Sequence, residues 1–213
     1  MWFIRISICL LLITYIVVFS DLRVRHLKKD ERYGSNKIIT RQIIIVVVYN
    51  LLCYAMVLLP PSRTTLLPYH LLQNQTTLIG FVVLGILLIT CGIALSVAGV
   101  IKRKAIGGQH APEGLVTSGV YSYFRHPIYS GIVWVCLGLA LVARNLDGLL
   151  MCPAVLGVNL SAALMEERFE VGARFREQYN EYKQTVAMFG PKWIWGVIVL
   201  VILTLVVNGY VSS

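Results

Sequence analysis

Long apolar runs separated by short polar blocks form the main pattern of this chain. Six apolar segments can be counted, at about residues 2–20, 42–59, 78–101, 129–143, 149–165 and 193–211. A helix needs about 20 residues to cross the hydrocarbon core of a bilayer, and the first, third and sixth segments approach or exceed this length. The pattern therefore predicts an all-α fold: a polytopic transmembrane helical bundle of about six spans.

The fourth and fifth segments are shorter, and only five residues, Arg144 to Gly148, separate them. This spacing predicts a tight helical hairpin with Asp147-Gly148 as its turn. After the hairpin, bulky side chains recur at intervals of four, three and four residues, which predicts an amphipathic helix packed against the bundle. These residues are Phe175, Tyr179, Tyr182 and Val186.

The pattern divides the chain into three parts. We expect N-terminal transmembrane helices over residues 1–103, a functional core over residues 104–190, and a C-terminal transmembrane helix over residues 191–213. The first span is expected to be retained, because the charged stretch at residues 21–25 follows it where a signal peptide would have small residues.

Composition supports a membrane protein. Of the 213 residues, 57% are hydrophobic and only 14% are charged, whereas a soluble domain has about 25% charged residues. The net charge of +9 does not indicate a nucleic-acid partner, because the basic residues lie in loops between spans. All five cysteines fall inside apolar segments, so we expect them to pack and to form neither disulfides nor a metal site.

The loops predict the orientation. Sixteen of the 19 lysine and arginine residues lie in the loops at 21–41, 101–127 and 166–192. The positive-inside rule makes these loops cytoplasmic and places both termini outside. The protein is therefore expected to be an integral, multi-pass membrane protein whose polar blocks face the cytoplasm.

Two polar blocks contain the candidate chemistry. The first spans residues 115–131 and includes Arg125-His126-Pro127, with the proline suited to the first turn of the fourth span. The second is Glu166-Glu167 at the end of the fifth span. Charged groups this close to a bilayer are costly and tend to mark function, so the blocks predict an enzyme. Adjacent glutamates on a helix point about 100° apart, so at most one easily faces a given cavity.

Other carboxylates of the region have a simpler interpretation. We expect Glu170, Glu177 and Glu181 to lie on the solvated face of the amphipathic helix. Glycines 80, 85, 92 and 99 on the third span are expected to allow close packing of helices.

The two blocks together closely resemble the isoprenylcysteine carboxyl methyltransferase family. The resemblance rests on residues 115–121, on Phe124 to Pro127 with Tyr129 and Gly131, and on Glu166-Glu167 with the aromatic stripe that follows. It covers about residues 104–186. It implies a helical membrane bundle with a cytosolic-facing pocket for S-adenosyl-L-methionine.

The resemblance also implies the site residues. The expected cofactor-binding residues are His110, Leu115, Val116, Tyr121, His126, Pro127, Ile128, Tyr129 and a carboxylate of the pair Glu166 and Glu167. The faces of Tyr121 and Tyr129 are suited to stabilise a methyl sulfonium cation. We expect catalytic roles for Glu167 and for Arg125.

Three positions depart from the family pattern. Ala163 occupies the position of the family's arginine for the substrate carboxylate, and Arg176 and Ala187 replace a glycine and a proline. Carboxylate recognition then needs another cation, for which Arg125 is the best placed, ahead of Arg168 and Arg174.

Several functions stay open at this point. The leading one is methyl transfer to a lipophilic acceptor that enters from the bilayer, an isoprenylcysteine-type carboxylate. The alternatives are phospholipid N-methylation, thiol S-methylation and, further away, an NADPH-dependent sterol-type reductase or a transporter. A carboxylate is already ionised at neutral pH, whereas an amine would first lose a proton, for example to His126 or a glutamate.

Overall fold

A computed structural model describes residues 3–15, 36–59, 75–103 and 114–211 of the protein. These ranges contain the helices α1 (Phe3–Tyr15), α2 (Asn36–Leu58), α3 (Gln75–Arg103), α4 (Pro127–Val142), α5 (Leu146–Glu166), α6 (Gly172–Thr185) and α7 (Lys192–Val211). A 3-10 turn at Gly119–Ser122 precedes α4, and a π-helical turn at Glu167–Val171 joins α5 to α6. The described ranges contain no strand, which confirms the all-α prediction for them.

Two continuous helices are long and apolar enough to cross a bilayer. They are Gln75–Arg103 and Asp147–Thr185, the second running from α5 through the π-helical turn into α6. Shorter apolar helices lie at Phe3–Tyr15, Val47–Leu58, Pro127–Val142 and Lys192–Val207. Each of the six predicted apolar segments thus contains a helix, which supports a membrane protein, and the six-span topology stays a prediction.

Close contact between α3 and α4 positions the polar block. Three α3 glycines repeat every seventh residue, at positions 85, 92 and 99. A Cβ atom added to Gly92 would lie 2.7 Å from the carbonyl oxygen of Gly131, and one on Gly99 would lie 3.0 Å from the ring of Pro127. The helices therefore touch nearly backbone to backbone, as predicted, and the end of α3 lies against the start of α4.

The predicted turn at Asp147-Gly148 is wrong. The link between α4 and α5 ends at Asn145, whose side-chain oxygen accepts a hydrogen bond from the backbone N–H of Gly148 at 3.0 Å. This N-cap starts α5 at Leu146 and places Asp147 and Gly148 in its first turn. The bend itself is made by Arg144, which has a φ of 53°.

The same hairpin is fastened by a buried ion pair. Arg5 and Asp147 have fully buried side chains, with 3.1 Å between Nη1 and Oδ2. Arg5 also donates to the carbonyl of Leu59, and Asn145 donates to the carbonyls of Val57 and Leu59. Because buried charges are costly without partners, this cluster joins α1, the end of α2 and the hairpin. It lies at the far end of α4 from His126.

Helix α6 contains a strained residue. Arg176 has a φ of 31° and a ψ of −101° inside the helix, a conformation that favours glycine. The position is one of the three that depart from the family pattern, which has glycine there. An arginine therefore replaces the family's glycine at a position whose backbone conformation disfavours a Cβ atom.

We predict that Arg176→Gly raises the thermal stability of the protein. Relief of backbone strain is worth about 1–3 kcal/mol, and the greater freedom of glycine in the unfolded chain offsets up to about 1 kcal/mol of it. The melting temperature in detergent should rise by about 2–4 °C. As a control, Gln178→Gly on the exposed, regular part of α6 should lower it. Equal destabilisation by both substitutions would contradict the strain at Arg176.

Candidate active site

The polar block before α4 is held in place by the segment that follows α6. The backbone N–H of Arg125 donates to the carbonyl of Ala187 at 3.1 Å, and that of His126 donates to the carbonyl of Met188 at 3.0 Å. His126 then becomes the N-cap residue of α4 and Pro127 its first residue, as the sequence predicts. The two family motifs are thereby joined through their backbones.

A second set of contacts fixes the 3-10 turn. Gly119 starts this turn with a φ of 68°, which suits glycine. The Tyr121 hydroxyl donates to the carbonyl of Gly99 on α3 at 3.3 Å. The Tyr182 hydroxyl of α6 in turn donates to the carbonyl of Tyr121. Tyr121 therefore connects α3 with α6 across the polar block.

A cavity opens where α3, the polar block and α6 meet. Its enclosed space is about 50 Å³, and the empty space is about 520 Å³ when the open mouth is counted. Its lining residues are Arg103, Leu115, Val116, Tyr121, Arg125, His126, Glu166, Glu170, Val171, Arg174, Phe175, Tyr179 and Tyr182.

The structure brings most of the predicted site residues to this cavity. Those that line it are Leu115, Val116, Tyr121, Arg125, His126 and Glu166. Tyr129 lies behind it and donates its hydroxyl to Oε2 of Glu166 at 3.1 Å. Pro127 packs against α3, and Ile128 faces a different groove, between α2, α3 and α4. His110 lies outside the described residues.

The two adjacent glutamates face different partners. Glu166 forms an ion pair with Arg103 at the end of α3. Glu167 lies behind the cavity wall, with Oε1 3.0 Å from Nε2 of His126 and 3.1 Å from Nε of Arg125. The two side chains thus lie in different surroundings, and Glu166 is the member of the pair that lines the cavity.

Arg125 is engaged mainly with the protein itself. Its Nη1 donates to the carbonyls of Lys183 and Val186 at 2.8 and 2.9 Å, and its Nε donates to Glu167. These carbonyls lie at the C-terminal end of α6, where a cation is favoured. Although Arg125 lines the cavity, its guanidinium chiefly joins Glu167 to the end of α6.

The expectation that Glu170 is solvated is wrong. Its side chain is 10% exposed and pairs with Nη2 of Arg103 at 3.3 Å. Glu166 and Glu170 are four residues apart, so they share a helix face and one guanidinium reaches both. Glu177 and Glu181 are exposed, as expected.

The π-helical turn lies directly beneath the carboxylates. The backbone N–H of Gly172 donates to the carbonyl of Glu167, five residues earlier. A side chain at residue 172 would collide with that carbonyl, so the turn requires glycine. Such wide turns often occur at functional sites.

Sequence reasoning missed Arg103 and the second role of the aromatic stripe. The sequence pattern assigns Arg103 to the basic loop at 101–127. The spacing of Glu166 and Glu170 is the signal that one cation could pair with both carboxylates. The stripe does pack, as predicted: Tyr179, Tyr182 and Val186 form a buried cluster. It also forms one wall of the cavity.

The charges of the site shift two pKa values in its loop and turn. Burial would raise the pKa of Glu167, but its hydrogen bond with His126, the approach of the Tyr179 hydroxyl and the charge of Arg125 together lower it below the ordinary range. The Tyr179 hydroxyl is close to Glu167 but makes no hydrogen bond of good geometry within the described residues. Burial raises the pKa of Tyr121 to about 12, against the opposing charge of Arg103. Glu167 is thus held as an anion.

The chain is similar to known proteins over its central region. Residues 80–172 match the family model described as phospholipid methyltransferase. This stretch runs from α3 through the polar block and both helices of the hairpin to the end of the π-helical turn.

Three curated relatives match part of this chain. Two are proteins named protein-S-isoprenylcysteine O-methyltransferase, from Saccharomyces cerevisiae (33% identical over 51% of this chain and 48% of the relative) and Xenopus laevis (39% identical over 34% and 25%). A third, from Schizosaccharomyces pombe, is 29% identical over 53% of this chain and 47% of the relative. No solved structure matches the chain significantly.

These matches confirm the resemblance to the isoprenylcysteine carboxyl methyltransferase family. The chain spans about half or less of the length of the curated relatives that it matches.

We predict that Glu167 stabilises the fold at neutral pH and that acid removes this contribution. Because the folded-state pKa lies below the ordinary value of about 4.3, the stabilisation is complete above that value and is lost as the pH falls through the folded pKa. Glu167→Gln should cost about 1–3 kcal/mol at pH 7 and progressively less below about pH 4.

Thermal unfolding in detergent between pH 3 and pH 7 checks this prediction. The exposed Glu177→Gln serves as the matched control and should stay within about 0.5 kcal/mol of the wild type. A Glu167→Gln deficit that is the same at every pH would contradict the pKa direction.

Proposed function

We propose that this protein is an integral, multi-pass membrane methyltransferase that uses S-adenosyl-L-methionine and acts on a lipophilic acceptor. The leading acceptor is an isoprenylcysteine-type carboxylate, and the site is expected to face the cytoplasm. One observation carries the proposal. Residues of two motifs about forty positions apart, among them Tyr121, His126 and Glu166, line a single cavity. The name shared by the curated relatives supports the same chemistry.

The residues present fit the proposed cofactor. The cavity has an apolar and aromatic wall, from Leu115 and Phe175 among others, suited to a nucleoside base. It has charged groups of both signs, suited to an amino acid. The Tyr179 side chain also lines the cavity, and its hydroxyl lies beside Glu167.

The chain's own residues would bind and orient the reactants. The bound cofactor supplies an electrophilic methyl group carried on a sulfonium. The Tyr121 ring lines the cavity and can stabilise a cation through its face, while the His126–Glu167 pair holds the N-terminus of α4 in position. Such transfer depends on positioning and exclusion of water, which the apolar wall provides.

The contacts of Arg125 change which residue we assign to bind the acceptor carboxylate. The sequence predicts that Arg125 binds the acceptor carboxylate, but its guanidinium is used by Glu167 and the end of α6. We assign it a positioning role. Arg174 lines the cavity, is exposed and stacks over Phe175, so it is the better candidate for an acceptor anion.

An apolar groove beside the cavity supports a lipophilic acceptor. An apolar groove between α2, α3 and α4 is lined by residues such as Val47, Ile93 and Ile128, with Asn50 and Ser96 as polar members. Ile128 follows His126 by two residues, so the groove and the cavity lie on adjacent sides of the start of α4. The hydrophobic tail of the acceptor could remain in the groove while the polar head of the acceptor reaches the cavity.

Phospholipid N-methylation and thiol S-methylation are the alternatives within the same class. The matched family model bears the name phospholipid methyltransferase, which favours the amine. An acceptor amine would lose a proton, and the carboxylates near the cavity could accept it. A carboxylate acceptor needs no base.

We predict that S-adenosylhomocysteine, the demethylated cofactor, stabilises the purified protein against heat and that NADPH does not. His126→Ala should weaken its binding about 10- to 100-fold, because the histidine's hydrogen bond with a charged partner is lost. Tyr123→Ala, an exposed neighbour in the same block, should bind normally. Stabilisation by NADPH but not by S-adenosylhomocysteine would contradict the methyltransferase proposal and favour an NADPH-dependent reductase.

Turnover assays with a farnesylated cysteine, a phosphatidylethanolamine and a simple thiol then identify the acceptor. Methylation of the farnesylated cysteine is the expected result. Transfer only to the amine or only to the thiol would overturn the carboxyl assignment and leave the methyltransferase intact.

A further inference from the structure

The end of α2 is held by side chains from two other elements. The carbonyls of Met56 and Leu59 accept hydrogen bonds from Nε and Nη2 of Arg5, at 3.4 and 2.8 Å. Those of Val57 and Leu59 accept from the side-chain amide of Asn145, at 2.8 and 2.6 Å. The last carbonyls of a helix have no partner within it, so α1 and the link between α4 and α5 supply the partners that α2 lacks.

Arg5, Asn145 and Asp147 together form a unit that we call the α2 anchor. All three residues are at most 4% exposed. Oδ2 of Asp147 lies 3.1 Å from Nη1 of Arg5 and balances the charge of the guanidinium, which would be costly to bury alone. A Cβ atom on Gly148 would collide with the carbonyl oxygen of Val57, so the first turn of α5 also lies directly against the end of α2.

The same helix forms one wall of the apolar groove. Val47, Asn50 and Tyr54 follow one another at intervals of three and four residues, so they share a face of α2, and this face lines the groove. The other walls belong to α3 and α4, which the glycine contacts hold together. Tyr54 lies one helical turn before the anchored end. The width of the groove therefore depends on where α2 is held against this fixed pair of helices.

Apolar packing alone gives α2 little directional restraint. Its buried residues Cys53, Met56 and Val57 pack with apolar side chains of the bundle core. In a bilayer such contacts compete with lipid chains of the same character, so they specify the position of a helix less sharply than directed hydrogen bonds do. The α2 anchor supplies hydrogen bonds of this kind, together with a cation at a helix C-terminus, where a cation is favoured.

We propose that the α2 anchor positions the groove for the hydrophobic tail of the acceptor. This inference rests on the proposed function, which places that tail in the groove, and it makes Arg5, Asn145 and Asp147 positioning residues. The anchor lies about 24 Å from His126, the length of the 16-residue helix α4, so it does not touch the cavity. It therefore acts on the binding of the acceptor and not on the transfer step.

A double substitution separates the anchor from the stability of the fold. Arg5→Met combined with Asp147→Asn removes both charges, and replacing a buried ion pair with uncharged residues of similar volume often leaves stability unchanged. It also removes the hydrogen bonds from Arg5 to the end of α2. Hydrogen–deuterium exchange of the full-length protein in detergent micelles should then be at least about tenfold faster for the last two turns of α2 and unchanged for α3.

Methyl transfer to two acceptors tests the function of the anchor. One acceptor is a cysteine with a farnesyl chain on its sulfur, and the other has a geranyl chain, which is shorter by one isoprene unit and fills less of the groove. The double variant should raise the KM for the farnesylated cysteine about tenfold and that for the geranylated cysteine less than about threefold. The kcat and the affinity for S-adenosylhomocysteine should stay within about twofold.

Two single variants complete the test. Arg5→Lys keeps the charge opposite Asp147 but loses the planar fork that reaches α2, so it should raise the KM for the farnesylated cysteine less than the double variant does. Arg144→Asn removes an exposed charge next to the anchor and keeps a residue type that tolerates the positive φ of this position. It should change neither KM.

The possible failures are distinguishable. An unchanged KM for the farnesylated cysteine, or an equal rise for both acceptors, would overturn the positioning role. Unchanged exchange of α2 in the double variant would show that Arg5 and Asp147 do not hold this helix, and would overturn the anchor itself. Wild-type protein that methylates neither cysteine would overturn the proposed acceptor, and the positioning role with it.

Discussion

The ion pairs of Arg103 with Glu166 and Glu170 are the contact on which the rest of the site depends. They join the end of α3 to the end of α5 and the π-helical turn that follows it. Two carboxylates one helical turn apart would repel each other in a poorly solvated site, and a buried charge without a partner is costly. The guanidinium between them offsets this repulsion, and both carboxylates face the cavity.

Arg103 can reach this position because α3 and α4 lie so close together. Glycines on both helices remove the side chains that would separate them, and Gly99 receives the ring of Pro127. The end of α3 is thereby held against the polar block that contains His126. At the other end of α4, the buried pair of Arg5 and Asp147 fastens the hairpin to α1. Helix packing and ion pairs together fix the geometry of the cavity.

The sequence predicted the features that depend on local pattern. Apolar runs indicated the helices, and Pro127 after His126 indicated the start of α4. The motif residues Leu115, Val116, Tyr121 and Glu166 do line one cavity. Prediction from the sequence failed where two interacting residues are distant in the chain. Glu170 is buried because Arg103, 67 residues away, pairs with it. Asp147 is helical because an asparagine caps the helix and Arg5 neutralises the charge.

The predicted division of the chain at residue 103 passes through the site, since Arg103 ends α3 and completes the cavity. The most direct test of this account is a double-mutant cycle of Arg103→Met and Glu170→Gln, with the free energy of unfolding measured by reversible denaturation in mixed micelles. Residues in one buried ion network should show a coupling energy of about 1–3 kcal/mol. Effects that add within about 0.3 kcal/mol would show that Arg103 and Glu170 do not interact, and would contradict the account.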